Sequence, residues 1–155
     1  EVAADLGVGW VAMHMRGDPR TMQDESVYDD VVAEVRDFLV ERATEAVAAG
    51  VPEVWIDPGI GFGKTAAHNL ALVRHVDVLV ASGWPVAIGV SRKRFLGELT
   101  GRSDQGGGEG SDTPTPPDDR VEASVAMAAW GFAHGVQIVR AHDVRATVGA
   151  ARVAG

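Results

Sequence analysis

Four short apolar runs, each followed by a longer stretch with helical spacing, constrain the fold of this chain more than any other feature. The runs are Trp10–Met15, Glu53–Ile56, Val86–Val90 and Val136–Val139. Helices are predicted over Tyr28–Ala49, Thr65–Ser82, Arg120–His134 and Val144–Val153, with a short one over Phe95–Thr100. In the first of these, Val31, Val35, Phe38, Leu39 and Ala46 keep one face apolar, and Gly50 follows as a stop. In the second, Leu70, Val73, Val76 and Val80 do the same, with Gly83 and Pro85 ending it. Strand–helix alternation predicts parallel strands joined by right-handed crossovers. Strands without polar alternation fit a sheet covered on both faces.

Each run carries its polar residues at its C-terminal end: His14, then Asp57, then Ser91 to Arg94, then Arg140 and His142. Ligands of α/β sheets and barrels bind at that end. The four tips therefore define one candidate site. Its most distinctive stretch is Ile56-Asp57-Pro58-Gly59-Ile60-Gly61-Phe62-Gly63-Lys64, a carboxylate at a strand end followed by a Gly-rich loop and a lysine. That stretch reads either as a small-molecule site or as a tight strand-to-helix connection. Asp57 suits the N–H edge of a planar heterocycle, and Phe62 and Met13 supply apolar surface for its ring. The Ser91-Arg92-Lys93-Arg94 cluster follows a buried strand, which favours a ligand mouth over a solvated helix face. Arg140 and His142 flank Ala141 and project to one face if extended. Arg140 offers a fork for phosphate or carboxylate. His142 adds a donor, or else is a structural histidine beside Asp143. For His14 a packed structural role comes ahead of a ligand role. Lys64 is either a surface cation near a helix start or a ligand group.

The chain has 155 residues, enough for one ordinary domain, and a formal net charge of −8. That charge argues against nucleic acid or an anionic membrane as the main partner. No apolar run approaches the roughly 20 residues of a membrane span. The absence of cysteine excludes disulfides, thiol catalysis and cysteine metal sites, and fits a cytoplasmic protein. No His/Asp/Glu cluster has metal-ligand spacing. Gly101–Asp118, rich in Gly, Asp, Ser and Pro, is predicted as a flexible loop, a tether ahead of a lid.

Four motifs together resemble dihydropteroate synthases: Met13-His14-Met15-Arg16-Gly17 with Pro19 and Thr21-Met22-Gln23; Asp57 to Thr65 with His68-Asn69; Ser91-Arg92-Lys93-Arg94-Phe95-Leu96-Gly97; and Arg140-Ala141-His142-Asp143-Val144. They occur in the family's order and span essentially the whole chain. The resemblance implies an α/β fold, a (β/α)8 TIM barrel, and condensation of 6-hydroxymethyl-7,8-dihydropterin pyrophosphate with p-aminobenzoate in folate biosynthesis. By position it implies that Asp57 binds the pterin, with Met13 and Phe62 lining its pocket and the p-aminobenzoate site. Lys93 would contact the pterin, Ser91 would lie near the benzoate, and Arg140 and His142 would hold the pyrophosphate. Lys93, Arg140 and His142 are the implied catalytic residues. Mg²⁺ is implied through the substrate diphosphate and the N-terminal half, and a homodimer through the C-terminal helices.

Such a barrel needs eight strands and about 250 residues. Four strands here imply the C-terminal half of a single pterin-binding domain spanning residues 1–155, within a longer protein. Two alternatives stand beside the synthase. One is the pterin-binding domain of a methyltransferase, disfavoured by the Arg140-x-His142 pair and Lys93. The other is an inactive paralogue serving ligand binding or assembly, disfavoured by the intact motifs.

Overall fold

A computed structural model describes residues 1–18, 26–103 and 114–155. Pro19 and Thr21 to Gln23 of the first motif lie outside these residues, as does most of the Gly-rich stretch after Ser103. The chain runs α1 (Val2–Asp5), β1 (Trp10–Met13), α2 (Val31–Ala48), β2 (Val54–Asp57), α3 (Ala66–Arg74), α4 (Val76–Val80), β3 (Ala87–Ile88), α5 (Arg94–Ser103), a 3₁₀ turn (Pro117–Asp119), α6 (Val121–Ala133), β4 (Ile138–Val139) and α7 (Val144–Ala154).

All strand pairs are parallel. β1 pairs with β2 from Trp10–Val54 to Met13–Asp57, and β3 with β4 through Ala87–Ile138 and Ile88–Val139. A parallel bridge, Ile56–Val86, joins the two pairs. The four strands therefore lie side by side in chain order, as consecutive β/α units do.

Side chains alternate across this arc. Ala12, Val54, Ile56 and Ile88 face the helices and are buried with Val35, Leu39 and Val76 in the core. Val11, Met13 and Ile138 face the concave side, where they stay exposed at 44%, 38% and 39%. A closed barrel covers such positions with strands from its opposite wall.

Helix starts follow their caps. The predicted start of α2 at Tyr28 moves to Val31, because the Asp30 side chain accepts the N–H groups of Val32 and Ala33, both at 3.0 Å. Thr65 caps α3 with a reciprocal bond to His68. The helix predicted over Thr65–Ser82 breaks at His75, where φ is −108° and ψ is 32°. Periodicity missed the break because the apolar face continues across it: Leu72, Val73, Val76 and Leu79 are buried, and the expected Leu70 and Val80 are only half-buried. The indole of Trp130 donates to the Val73 carbonyl beside that break at 2.9 Å.

The described ends of the predicted loop over Gly101–Asp118 are helical. α5 continues through Ser103, and Pro117–Asp119 forms the 3₁₀ turn. Thr115 ties this segment back to α5, its N–H donating to the Gly97 carbonyl at 2.9 Å.

Candidate active site

The turn after β2 is built around Gly59 and Lys64. Asp57 is 6% exposed, and its Oδ1 accepts the Gly59 N–H at 2.8 Å. Gly59 has φ +65°, and a Cβ there would sit far inside contact distance of the His14 carbonyl oxygen. Only glycine lets this turn close on the end of β1. Burial pushes the Asp57 carboxyl above its ordinary value, while the Gly59 N–H, Arg140, Lys93 and Lys64 pull it back.

Lys64 is not the surface cation that its place near a helix start allowed. Its side chain is 3% exposed, and Nζ donates to the carbonyls of Phe62 (3.0 Å), Gly59 (3.1 Å) and His14 (3.4 Å). It also lies 3.0 Å from His14 Nδ1. Desolvation leads in lowering its pKa to about 7, against the attraction of Asp57. Lys64 is an internal tie between the glycine turn and β1. The cause lies in the loop: its left-handed glycines direct backbone carbonyls inward, and a buried carbonyl needs a donor.

His14 is the packed residue the sequence suggested. It is 5% exposed, edge-on to Phe38 with ring centroids 5.0 Å apart. Burial and the neighbouring Lys64 and Arg16 lower its pKa to about 4, so it stays neutral and can accept from Lys64. Two further residues hold this turn and were given no role from sequence. Asn69 Oδ1 accepts the Gly61 N–H at 2.7 Å from inside α3. The Tyr28 hydroxyl donates to the Gly63 carbonyl at 3.1 Å, with the Arg16 guanidinium 4.0 Å above its ring. Asn69 follows the cap of α3 by four residues, which is one turn and places it facing the loop; that spacing was the available signal.

The turn after β3 carries Ser91, Arg92 and Lys93. Lys93 Nζ lies 4.1 Å from the centre of the Phe62 ring, which joins the two turns. Its pKa is lowered, first by desolvation and then by Arg140, with Asp57 opposing. The Ser91 Oγ accepts the His142 N–H at 3.1 Å and stands 3.0 Å from His142 Nδ1. Arg140 crosses Gly89: a Cβ there would meet its Nη2 at 2.5 Å, so the missing side chain is the room the guanidinium uses. Arg140 and His142 are both exposed at the mouth.

Asp143 does not pair with His142. It forms a two-pronged pair with Arg92, Nη2 to Oδ1 at 2.8 Å and Nε to Oδ2 at 3.1 Å. A 440 Å³ cavity opens beside the site, between the glycine turn and α5, lined by Gly61, Lys64, Asn69, Lys93 and Phe95.

The predicted site residues thus fall on one rim. Met13 is the strand partner of Asp57; Asp57 feels Lys93 and Arg140; Lys93 covers Phe62; Ser91 holds His142. A buried carboxylate with a cation over an aromatic ring, next to an exposed arginine and histidine, can hold a polar heterocycle at one end and an anion at the other.

Residues 1–142 match the family described as "Pterin binding enzyme", and the chain belongs to that family. The relatives give the particular likeness. Dihydropteroate synthase of Neisseria meningitidis serogroup B is 45% identical over 97% of this chain and 50% of its own length. The Escherichia coli K12 enzyme of that name is 36% identical over 99% of this chain and 50% of its own. Dihydropteroate synthase of Thermus thermophilus superposes with a TM-score of 0.85 at 47% identity, over 98% of this chain and 56% of that structure. Structures of the Thermus enzyme with 4-aminobenzoate and with 6HMPPP superpose at 0.85 and 0.86. This chain spans about half the length of the relatives it matches, and its four β/α units are a part of a TIM barrel.

Proposed function

We propose that the barrel to which this chain contributes is a dihydropteroate synthase, and that residues 1–155 are the C-terminal half of its single domain. The carrying observation is the grouping at the strand ends: the buried carboxylate of Asp57, Lys93 over the Phe62 ring and Arg140 across Gly89. In this reading Asp57 takes the pterin N–H edge, and Met13 and Phe62 line the pterin pocket and its p-aminobenzoate side. Lys93 contacts the ring and borders the p-aminobenzoate subsite. Ser91 lies near the benzoate, and through its hydrogen bond orients His142.

Cleaving the bond between the pterin methylene and pyrophosphate builds negative charge on the leaving group and positive charge on the methylene carbon. Arg140 and His142 stabilise the first, and Asp57 the second. The amine nitrogen of p-aminobenzoate then bonds to the methylene carbon and gives its proton to the departing pyrophosphate or to water, which needs mainly positioning. Mg²⁺ would neutralise the diphosphate when bound. Among the described residues no group of three or more His, Asp or Glu converges to hold a metal. In this reading the ion sits on the substrate diphosphate and on residues of the N-terminal half. A homodimer and a cytoplasmic location complete the proposal; no described helix is long and apolar enough to cross a membrane.

The test is product formation by the intact protein from pterin pyrophosphate, p-aminobenzoate and Mg²⁺, followed by chromatography. Arg140→Ala is expected to cut turnover by at least about 100-fold, the scale for a lost oxyanion-type contact. Near-normal turnover in that variant would remove the leaving-group assignment. No product from a folded wild type that binds the pterin would point to the inactive paralogue.

A further inference from the structure

Arg92 lies between two site residues in a conformation that only its surroundings explain. Its φ is +57°, the one positive value at a residue other than glycine among the described residues. Left-handed backbone at such a residue persists only where neighbours fix it. Four groups do so here. The Ser124 Oγ accepts the Arg92 N–H at 2.9 Å, and Arg120 Nη1 donates to the Arg92 carbonyl at 3.0 Å. Both partners are buried, at 4% and 7% exposure. Asp143 takes the guanidinium by both oxygens, and Asp118 takes Nη1 at 2.6 Å. Arg120 is itself fixed, its Nε donating to the Thr115 carbonyl at 2.6 Å.

The consequences fall on either side. Ser91 is bonded to His142, and Lys93 reaches over Phe62. Asp143 directly follows His142 and opens α7. A fork between Arg92 and Asp143 thus ties the turn after β3 to the turn after β4.

We propose that Arg92 is a positioning residue, and that its pair with Asp143 couples Lys93 to the Arg140–His142 turn, so that the heterocycle and phosphate ends of the site are set as one unit. This rests on the synthase reading for its kinetic test, though not for its binding test. Arg92 is given no contact with the reacting atoms in this proposal, because its guanidinium is already engaged by two carboxylates.

A double-mutant cycle on the intact protein tests the coupling. Arg92→Ala, Asp143→Asn and the double variant are compared for kcat and KM toward each substrate, for calorimetric binding of inorganic pyrophosphate, and for unfolding midpoint. Each single change is expected to lower kcat/KM roughly 10- to 100-fold, the scale for a misplaced catalytic group. The double variant is expected to be no worse than the poorer single one. Pyrophosphate affinity should fall non-additively in the same way, although neither residue is assigned to the anion. Arg92→Gly, which relieves the backbone but removes the fork, should behave like Arg92→Ala.

Multiplicative losses, a shift in unfolding midpoint alone, or recovery by Arg92→Gly would each overturn the proposal. Should Arg92→Ala fail to fold, Arg92→Gly takes its place in the cycle with Asp143→Asn, which keeps the shape and removes the charge. A wild type that makes no product, together with non-additive pyrophosphate binding across the variants, would sink the synthase reading and leave the positioning role standing.

Discussion

The turn after β2 and the turn after β3 solve one problem in opposite ways. Each must fold a strand end sharply and hold its polar groups at the rim. The first does so with glycines and a buried cation: Gly59, Gly61 and Gly63 are left-handed, and Lys64 collects the Gly59 and Phe62 carbonyls out of water. The second does so with a non-glycine left-handed residue and ion pairs that reach the surface, Arg92 with the partly covered Asp143 and the exposed Asp118. Burial works against charge in the first, where the Lys64 pKa falls to about 7. In the second, pairing reinforces charge: Arg92 is raised and Asp143 lowered, chiefly by their shared hydrogen bond. A chain can therefore fix a ligand-facing turn from within or from its surface. The interior solution leaves less latitude to substitution.

Gly59→Ala is the most severe way to break the interior solution. The added carbon would overlap the His14 carbonyl, which belongs to the strand backbone and cannot turn aside. The positive φ adds its own cost of about 1–2 kcal/mol. Together these predict a loss of more than about 3 kcal/mol, read as the free energy of unfolding in urea, with pterin affinity lost as well. The matching change at the other turn, Arg92→Gly, relieves its backbone, so its stability cost should be far smaller.

Lys64→Met comes next and weighs two terms against each other. The ammonium is costly to bury, so its removal recovers desolvation energy. It also strands the carbonyls of Gly59 and Phe62, each worth about 1–3 kcal/mol when left unpaired in the interior. The second term is the larger, giving an expected net loss of about 2–3 kcal/mol. Hydrogen exchange should localise it, with faster exchange over 57–64 and unchanged protection in α6. Unchanged exchange in the turn would mean that its glycines alone hold it.

The two turns should also part with pH. The folded pKa of His14 is about 4, against 6.5 when free. Below pH 6.5 the unfolded chain binds a proton that the folded one refuses, so stability falls as pH drops from about 6.5 to about 4. Allowing for partial screening, the loss is about 2 kcal/mol. His14→Gln keeps an acceptor for Lys64 without titrating, and should flatten that slope. Asp143 is held below its ordinary 3.8, so the ion-paired turn should lose stability only at lower pH still. An acid slope unaffected by His14→Gln would place the sensitivity elsewhere. On the alkaline side, Lys64 releases its proton in the folded state near pH 7 and in the unfolded state near 10.5, so stability should rise across that interval.

What was legible in the sequence follows the same division. The β/α order and the rim residues Asp57, Ser91, Lys93, Arg140 and His142 could be read from apolar runs ending in polar tips. Periodicity and position determine those features. Lys64 resisted the same reading because its partners are backbone carbonyls, which no residue type announces. Arg92 resisted it because Asp143 lies 51 residues away, and only the β3–β4 pairing brings the two together. The His75 break was hidden because apolar residues continue at helical spacing across it.

The contact that joins the two turns gives the smallest effect and the sharpest comparison. Lys93 Nζ stands 4.1 Å from the Phe62 ring centre. Phe62→Leu keeps apolar bulk and removes the ring quadrupole, for a loss of about 0.5–1 kcal/mol at a half-exposed site. As affinity that is roughly a two- to fivefold weakening of pterin binding, measurable by calorimetry on the intact protein. The same substitution should leave the His14 acid slope untouched, since Phe62 holds Lys64 by its backbone carbonyl and not by its ring. A slope that moved with Phe62→Leu would mean that the ring, too, sets the lysine cage, and that the two turns are one cooperative unit.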